Sequence, residues 1–210
     1  MDKSYRRKTG LIMMTMTLIM FSPIFVHLIG YRIPMFEHLG LTKDTLAPWY
    51  AWMFMIFVIV TYVIYTFKVI PFVYKMQNEL SLYKLVGLLA IVGGILEEVV
   101  FRRWLMDLLM GHGYGFVIQI IISGVAFGLA HIVWGFFGRD KQFLIGSFLS
   151  TTFLGFALGI LYLISDRNIG PCIISHSLIN VVIEPWLLLS AISKTWKTNK
   201  KQTTGHNTRS

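Results

Sequence analysis

The sequence predicts an all-α fold, a polytopic membrane bundle of about six transmembrane helices with any site lying between helices. Three observations carry this. Of the 210 residues, 55% are hydrophobic and only 14% are charged, whereas a soluble domain carries about 25% charged residues. The apolar residues gather into six stretches, at 11–30, 47–67, 82–101, 116–137, 143–164 and 169–192, each close to the roughly 20 residues that cross a hydrocarbon core. The net charge of +9 sits at the ends of these stretches, where it orients helices in a bilayer.

The first stretch follows Lys3, Arg6, Arg7 and Lys8. It has the basic start of a signal peptide but no small-x-small cleavage site, since Phe21, Ser22 and Pro23 stand after the apolar run, so it is expected to remain as a helix. The second opens on Trp49, Tyr50 and Trp52, which suit an interfacial anchor or packing, as does Trp186 in the sixth. The third contains Glu97 and Glu98 and is expected to run past Phe101 towards Met110. Gly124 and Gly128 in the fourth, and Gly155 and Gly159 in the fifth, form small-xxx-small pairs that favour close helix packing. With the N-terminus inside, fourteen Lys and Arg fall on the inner side and five on the outer, which predicts both termini in the cytoplasm and a multi-pass protein of the cell (plasma) membrane.

The domain organisation expected is a basic N-terminus at 1–10, two membrane helices in 11–81, a membrane core at 82–193 and a basic tail at 194–210. Nothing in the sequence has the form of a groove-reading or base-stacking module, so no nucleic-acid partner is expected; the partners are the lipid bilayer and a peptide or protein substrate. Cys172, the single cysteine, makes neither a disulfide nor a metal cluster and reads as a small apolar residue.

A charged group at the centre of a spanning helix costs about 2.5–3.5 kcal/mol on insertion scales, so ionisable residues in apolar stretches should face a cavity or one another. Three places hold them. Glu98 and Arg102, four apart on a helix, can pair, while Glu97 lies about 100° round and points elsewhere. A carboxylate left free in this way suits general-base work; the same residues also read as interfacial glutamates balanced by Arg102 and Arg103. In the fourth stretch Phe127 sits one turn before His131 and can pack on the imidazole, although a single membrane histidine is more often a packing residue. In the sixth, His176 and Asn180 share one face at i, i+4, both able to donate a hydrogen bond to an oxyanion, and Glu184 continues the stripe before Pro185; Asn180 also reads as helix–helix glue. His27, Asp107, His112 and Asp166 lie singly or near ends and are given no role. Converging on one cavity, the glutamates, histidines and asparagine would satisfy each other. Glu97, His131 and His176 also make up a zinc ligand set, although no H-E-x-x-H pair is present.

Glu97-Glu98…Arg102, Phe127…His131 and His176…Asn180, in that order, resemble the signature of the CPBP family of membrane-embedded CAAX proteases and bacteriocin-processing enzymes, also called the Abi family. The resemblance covers roughly 85–190. It implies a helix bundle that hydrolyses a peptide bond, with Glu97 activating water, His131 as its partner, His176 and Asn180 binding the oxyanion, and Glu98, Arg102 and Phe127 in support. It also implies CAAX-type, pheromone or bacteriocin peptide processing, or self-immunity. Members are often called metalloproteases, and a metal-free glutamate mechanism is argued too. The family often has Gly where Arg103 stands, which bears on local packing or the cavity mouth. The rivals are a non-catalytic immunity or binding protein of the same fold and a small proton-coupled transporter; the paired broken helices and internal repeat of the latter are not seen. One tension remains in the spans: His131 falls late in its helix and His176 early in its own, although both helices run the same way. Taking the fourth span as 119–141 narrows the difference in depth to about 10 Å at 1.5 Å per residue.

Overall fold

The structure, a computed structural model, describes residues 3–31, 46–79, 82–133 and 140–197, without the side chains of most of 21–31 and 82–89. The described chain is helical: α1 (Lys3–Tyr31), α2 (Trp49–Val69), α3 (Pro71–Lys75), α4 (Leu82–Glu98), a π-helical segment (Val99–Met106), α5 (Asp107–Gly111), α6 (Phe116–Ala130), α7 (Lys141–Ile164), α8 (Gly170–Ser193) and a closing 3₁₀ turn (Thr195–Lys197). Over the described residues each of the six apolar stretches is mainly helical. Among the described residues α2, α7 and α8 are each long and apolar enough to cross a membrane alone. The third stretch continues unbroken from Leu82 through the π segment to Gly111, beyond Met110 as expected. Large apolar side chains stand exposed along the outward faces, among them Met53, Phe57 and Val60 on α2, Val117 and Ile121 on α6, and Phe153 on α7. A membrane protein covers such faces with lipid.

Two helix pairs form the centre: α6 packs along α7, and α4 along α8. The small residues explain how closely they approach. A Cβ on Gly124 would collide with the Phe156 ring, one on Gly128 with Thr152 Oγ1, and one on Gly155 would lie 2.8 Å from Gly124 Cα. The glycine pairs are therefore a packing seam, with Gly159 in ordinary contact with Ile120. Between α4 and α8, a Cβ on Gly94 would lie 3.1 Å from Ser177 Oγ and 3.4 Å from its backbone nitrogen. That close approach, one turn before Glu97, brings both glutamates against α8. α1 lies on α4 and α8 and is tied to the loop before α4 by Arg6 Nη2 donating to Glu79 Oε2 at 2.8 Å.

The fourth span differs from expectation. The helix starts at Phe116 and ends at Ala130, with His131 as its C-cap, so the continuous helix is interrupted at His131; residues 134–139 of the expected spans lie outside the described ones. The depth difference closes by another route. Glu97 lies 14 residues before Gly111 and His131 lies 15 after Phe116, so the tight turn between these helix ends sets them opposite each other about 20 Å down the hairpin. His176 is only 6 residues from the start of α8, about 9 Å. The α7–α8 turn compensates by docking partway down the hairpin rather than at its tip: Arg167 pairs with Asp107 and donates to Gln119 Oε1 at 2.6 Å. The first hairpin thus projects about one and a half to two helical turns beyond the second.

Asp107 consequently is not a lone residue, since it also accepts from Tyr162 Oη at 3.0 Å. Arg103 interacts electrostatically with Tyr162 in this cluster and is absent from the cavity lining, so its bearing is on packing at the hairpin end. His112 is exposed, its Nδ1 donating to Leu108 O at 2.8 Å; Asp166 turns the chain at φ 53°; the His27 side chain lies outside the described residues. Cys172 is buried, its thiol directed at Leu158 O at 3.4 Å. Trp186 is fully buried and therefore packing, whereas Trp49 and Tyr50 are exposed.

Candidate active site

Two adjacent glutamates at the end of α4 meet opposite environments. Glu98 is completely buried, and its Oε2 lies 3.0 Å from Arg102 Nε one turn on, a guanidinium equally buried. Its Oε1 accepts from His176 Nδ1 at 2.8 Å. Arg102 also donates from Nη1 to Ser123 Oγ on α6 at 2.9 Å, and that hydroxyl donates to Phe101 O at 2.9 Å. The π segment makes this possible. Its wider turn rotates the residues after Glu98 relative to an α-helical repeat, so Phe101 and Arg102 face α6 while both glutamates face the histidines. The result is a buried ion pair joining α4, α6 and α8.

Glu97 turns the other way, into a cavity. Its Oε2 lies 3.4 Å from His131 Nε2 and 3.7 Å from His176 Nε2, and this buried oxygen has no hydrogen-bond partner. Each imidazole has its other nitrogen occupied: His131 Nδ1 donates to Phe127 O at 2.8 Å, and His176 Nδ1 donates to Glu98. A neutral ring whose Nδ1 carries the proton presents a lone pair at Nε2. With both rings neutral, two lone pairs and a carboxylate oxygen would face one another, an arrangement that water or a cation between them would satisfy. Phe127, fully buried, packs against both rings, 4.3 Å from His131 and 5.3 Å from His176 between centroids. The Arg102 guanidinium lies over its face at 5.0 Å. Phe127 thus separates the buried ion pair from the cavity and stiffens both histidines.

The cavity is lined by Glu97, His131, His176, Asn180 and Glu184, together with Tyr62 of α2 and Ser147, Ser150 and Thr151 of α7. Its water-accessible space is about 70 Å³, room for several waters where roughly 10–15 Å³ admits one. All four residues singled out in the sequence, Glu97, His131, His176 and Asn180, line this cavity; of these, Asn180 alone has no side-chain partner among the described residues. Tyr62 and the α7 hydroxyls were not anticipated. The Ser150 and Thr151 hydroxyls satisfy themselves on nearby carbonyls and so leave no cost for a sequence to betray.

The residues fit a divalent metal. One donor atom from each of Glu97, His131 and His176 lies within 4.8 Å of the others, two imidazoles with a carboxylate are a set that zinc takes in catalytic sites, and each imidazole is oriented through its second nitrogen as metal-binding histidines are.

Comparison with known proteins places this geometry in context. Residues 79–182 match the family model described as type II CAAX prenyl endopeptidase, Rce1-like. No curated protein and no solved structure matches the chain.

Proposed function

Since residues 79–182 belong to the CPBP/CAAX family of intramembrane proteases, we propose that this integral membrane protein hydrolyses a peptide bond at the Glu97 cavity, with Glu97 as general base. The observation that carries the reading is the orphaned Glu97 oxygen facing two imidazole Nε2 atoms at 3.4 and 3.7 Å in a cavity with room for water.

A water between Glu97 and His131 gives one proton to the carboxylate and keeps its remaining hydrogen for the imidazole lone pair, which orients its attack. Its oxygen adds to the scissile carbonyl carbon, and the carbonyl π electrons move onto oxygen. Asn180, one turn from His176, donates to that oxyanion through its side-chain NH₂. His176 joins it when Nε2 carries a proton, and Glu98 on its far nitrogen compensates the charge. Collapse expels the amine, which takes the proton held by Glu97. Glu98 and Arg102 keep His176 in place and do not touch the substrate. Glu97, His131 and His176 would hold a divalent ion; such an ion supplies a Lewis acid and a more acidic water.

The domain limits follow this reading, with the catalytic core at 82–193. The loop charges favour both termini on the cytoplasmic side. The substrate class to try first is a peptide with a prenylated CAAX-type C-terminus, followed by pheromone and bacteriocin leader peptides. Purified protein in lipid is incubated with each in ¹⁸O water, and products are identified by mass spectrometry. The expected result is one internal cleavage that leaves ¹⁸O in the new carboxylate and disappears in Glu97→Gln. No cleavage by the native protein, or cleavage that persists in the variant, overturns the reading.

A further inference from the structure

Glu184 stands in the cavity without a hydrogen-bond or ion-pair partner among the described residues, within electrostatic reach of Glu97 and His176. It lies two helical turns beyond His176 and one beyond Asn180 on the same face of α8, about 12 Å and 6 Å along the axis. It is partly buried, and no hydrogen bond or ion pair reaches it among the described residues. Its rotation is fixed from behind. Pro185 packs against Gly87 of α4, where a Cβ would lie 2.8 Å from the proline Cγ, so this turn of α8 is pinned with Glu184 on the cavity side. A membrane-embedded carboxylate left in this state needs a compensating donor.

The surrounding wall says which kind. Thr151 Oγ1 gives its proton to Ser147 O at 2.8 Å, and Ser150 Oγ gives its own to the same carbonyl at 3.1 Å. With their protons committed to the backbone, these hydroxyl oxygens offer the cavity only lone pairs. Tyr62 of α2 lines the same wall. Among the described residues no Lys or Arg lines the cavity. A carboxylate beside such acceptors fits a group with several N–H donors and a positive charge, which is a primary ammonium or a guanidinium.

Resting on the hydrolase reading above, we propose that Glu184 is a specificity-determining residue that receives a Lys or Arg side chain of the peptide substrate. An extended peptide advances about 3.3–3.6 Å per residue, so a separation of about 12 Å from His176 places the basic residue three or four positions from the cleaved bond. Beyond Glu184 the cavity adjoins a larger one that shares Tyr62, Phe143, Ser147, Ser150 and Leu187 and includes Lys68, which leaves room for the peptide to continue.

The test uses quenched-fluorescence peptides in which a single Lys is walked along the sequence, each paired with its Gln analogue. With the full-length protein in lipid, Lys three or four residues from the cleaved bond is expected to raise kcat/KM roughly tenfold over Gln. Glu184→Gln should abolish that advantage while leaving the Gln peptides unchanged, and Glu184→Asp should keep part of it. Equal losses on Lys and Gln peptides, or no Lys advantage at any position, overturn the proposal. Binding of the same peptides to Glu97→Gln protein, read by fluorescence anisotropy, separates the two readings. A Lys preference there that Glu184→Gln removes supports recognition by Glu184 even where nothing is hydrolysed. No preference refutes it whatever the catalytic outcome.

Discussion

Replacing Glu98 by Gln removes a charge from a place that water does not reach, since Glu98 and Arg102 are both 0% exposed. Arg102 keeps its bond to Ser123 and the face of Phe127, but its Nη2 already lacks a hydrogen-bond partner. The Glu98 carboxylate is thus the main compensation of its charge. Removing one member of such a buried pair costs about 3–5 kcal/mol, because the other is left charged and dry. In a chain of this size each kcal/mol moves the midpoint by about 2–4 °C, so the expected drop is roughly 6–20 °C. Glu97→Gln, at a side chain 16% exposed to the cavity, should shift it by no more than about 1 kcal/mol. Converting both partners, Glu98→Gln with Arg102→Met, should recover most of the loss, since a neutral pair of similar volume carries no stranded charge. The assay is thermal unfolding in mild detergent followed by tryptophan fluorescence. A Glu98→Gln midpoint within a few degrees of the native one, or a double variant less stable than the single, would refute the assignment of this pair as the structural anchor of the site.

Other outcomes follow from the same geometry. Gly128→Ala puts a methyl group into Thr152 and should destabilise by about 1–3 kcal/mol, whereas Gly146→Ala, with nothing within 4 Å of the new Cβ, should be neutral or stabilising by up to about 1 kcal/mol; paired unfolding curves compare them. Asn180→Ala removes the proposed oxyanion donor, and steady-state kinetics should show kcat falling about 10²–10³-fold with little change in KM. Asp107→Asn frees Arg167 at the α7–α8 turn; because both side chains are partly exposed, stability should change by less than about 1 kcal/mol. Faster hydrogen exchange near the start of α8, read by mass spectrometry, is the expected sign of the loosened turn.

The meeting of these side chains was more legible in the sequence than their depth. Ionisable residues are conspicuous in apolar helices because burying them is costly, and Glu97, His131, His176 and Asn180 all reach one cavity. The different surroundings of Glu97 and Glu98 followed from their angular offset on a helix, and the glycine pairs from their spacing. The depth of His131 did not follow, since it depends on where the α7–α8 turn docks on the α5–α6 hairpin. That docking is made by Asp107, Gln119 and Arg167, each unremarkable near a helix end until its partner in space is known. The π segment after Glu98 left no mark that periodicity detects, as its eight residues are too few to establish a period of their own. Ser150 and Thr151 were silent because bonding to the Ser147 carbonyl of their own helix makes them tolerable anywhere along it.

The central claim is that Glu97 activates the water that cleaves the peptide, and single-turnover cleavage by Glu97→Gln tests it most directly when measured on protein whose unfolding midpoint matches the native one. Loss of the general base should slow the chemical step by about 10²–10⁴-fold with peptide binding retained. A rate within a few-fold of native, on protein of equal stability, would contradict it.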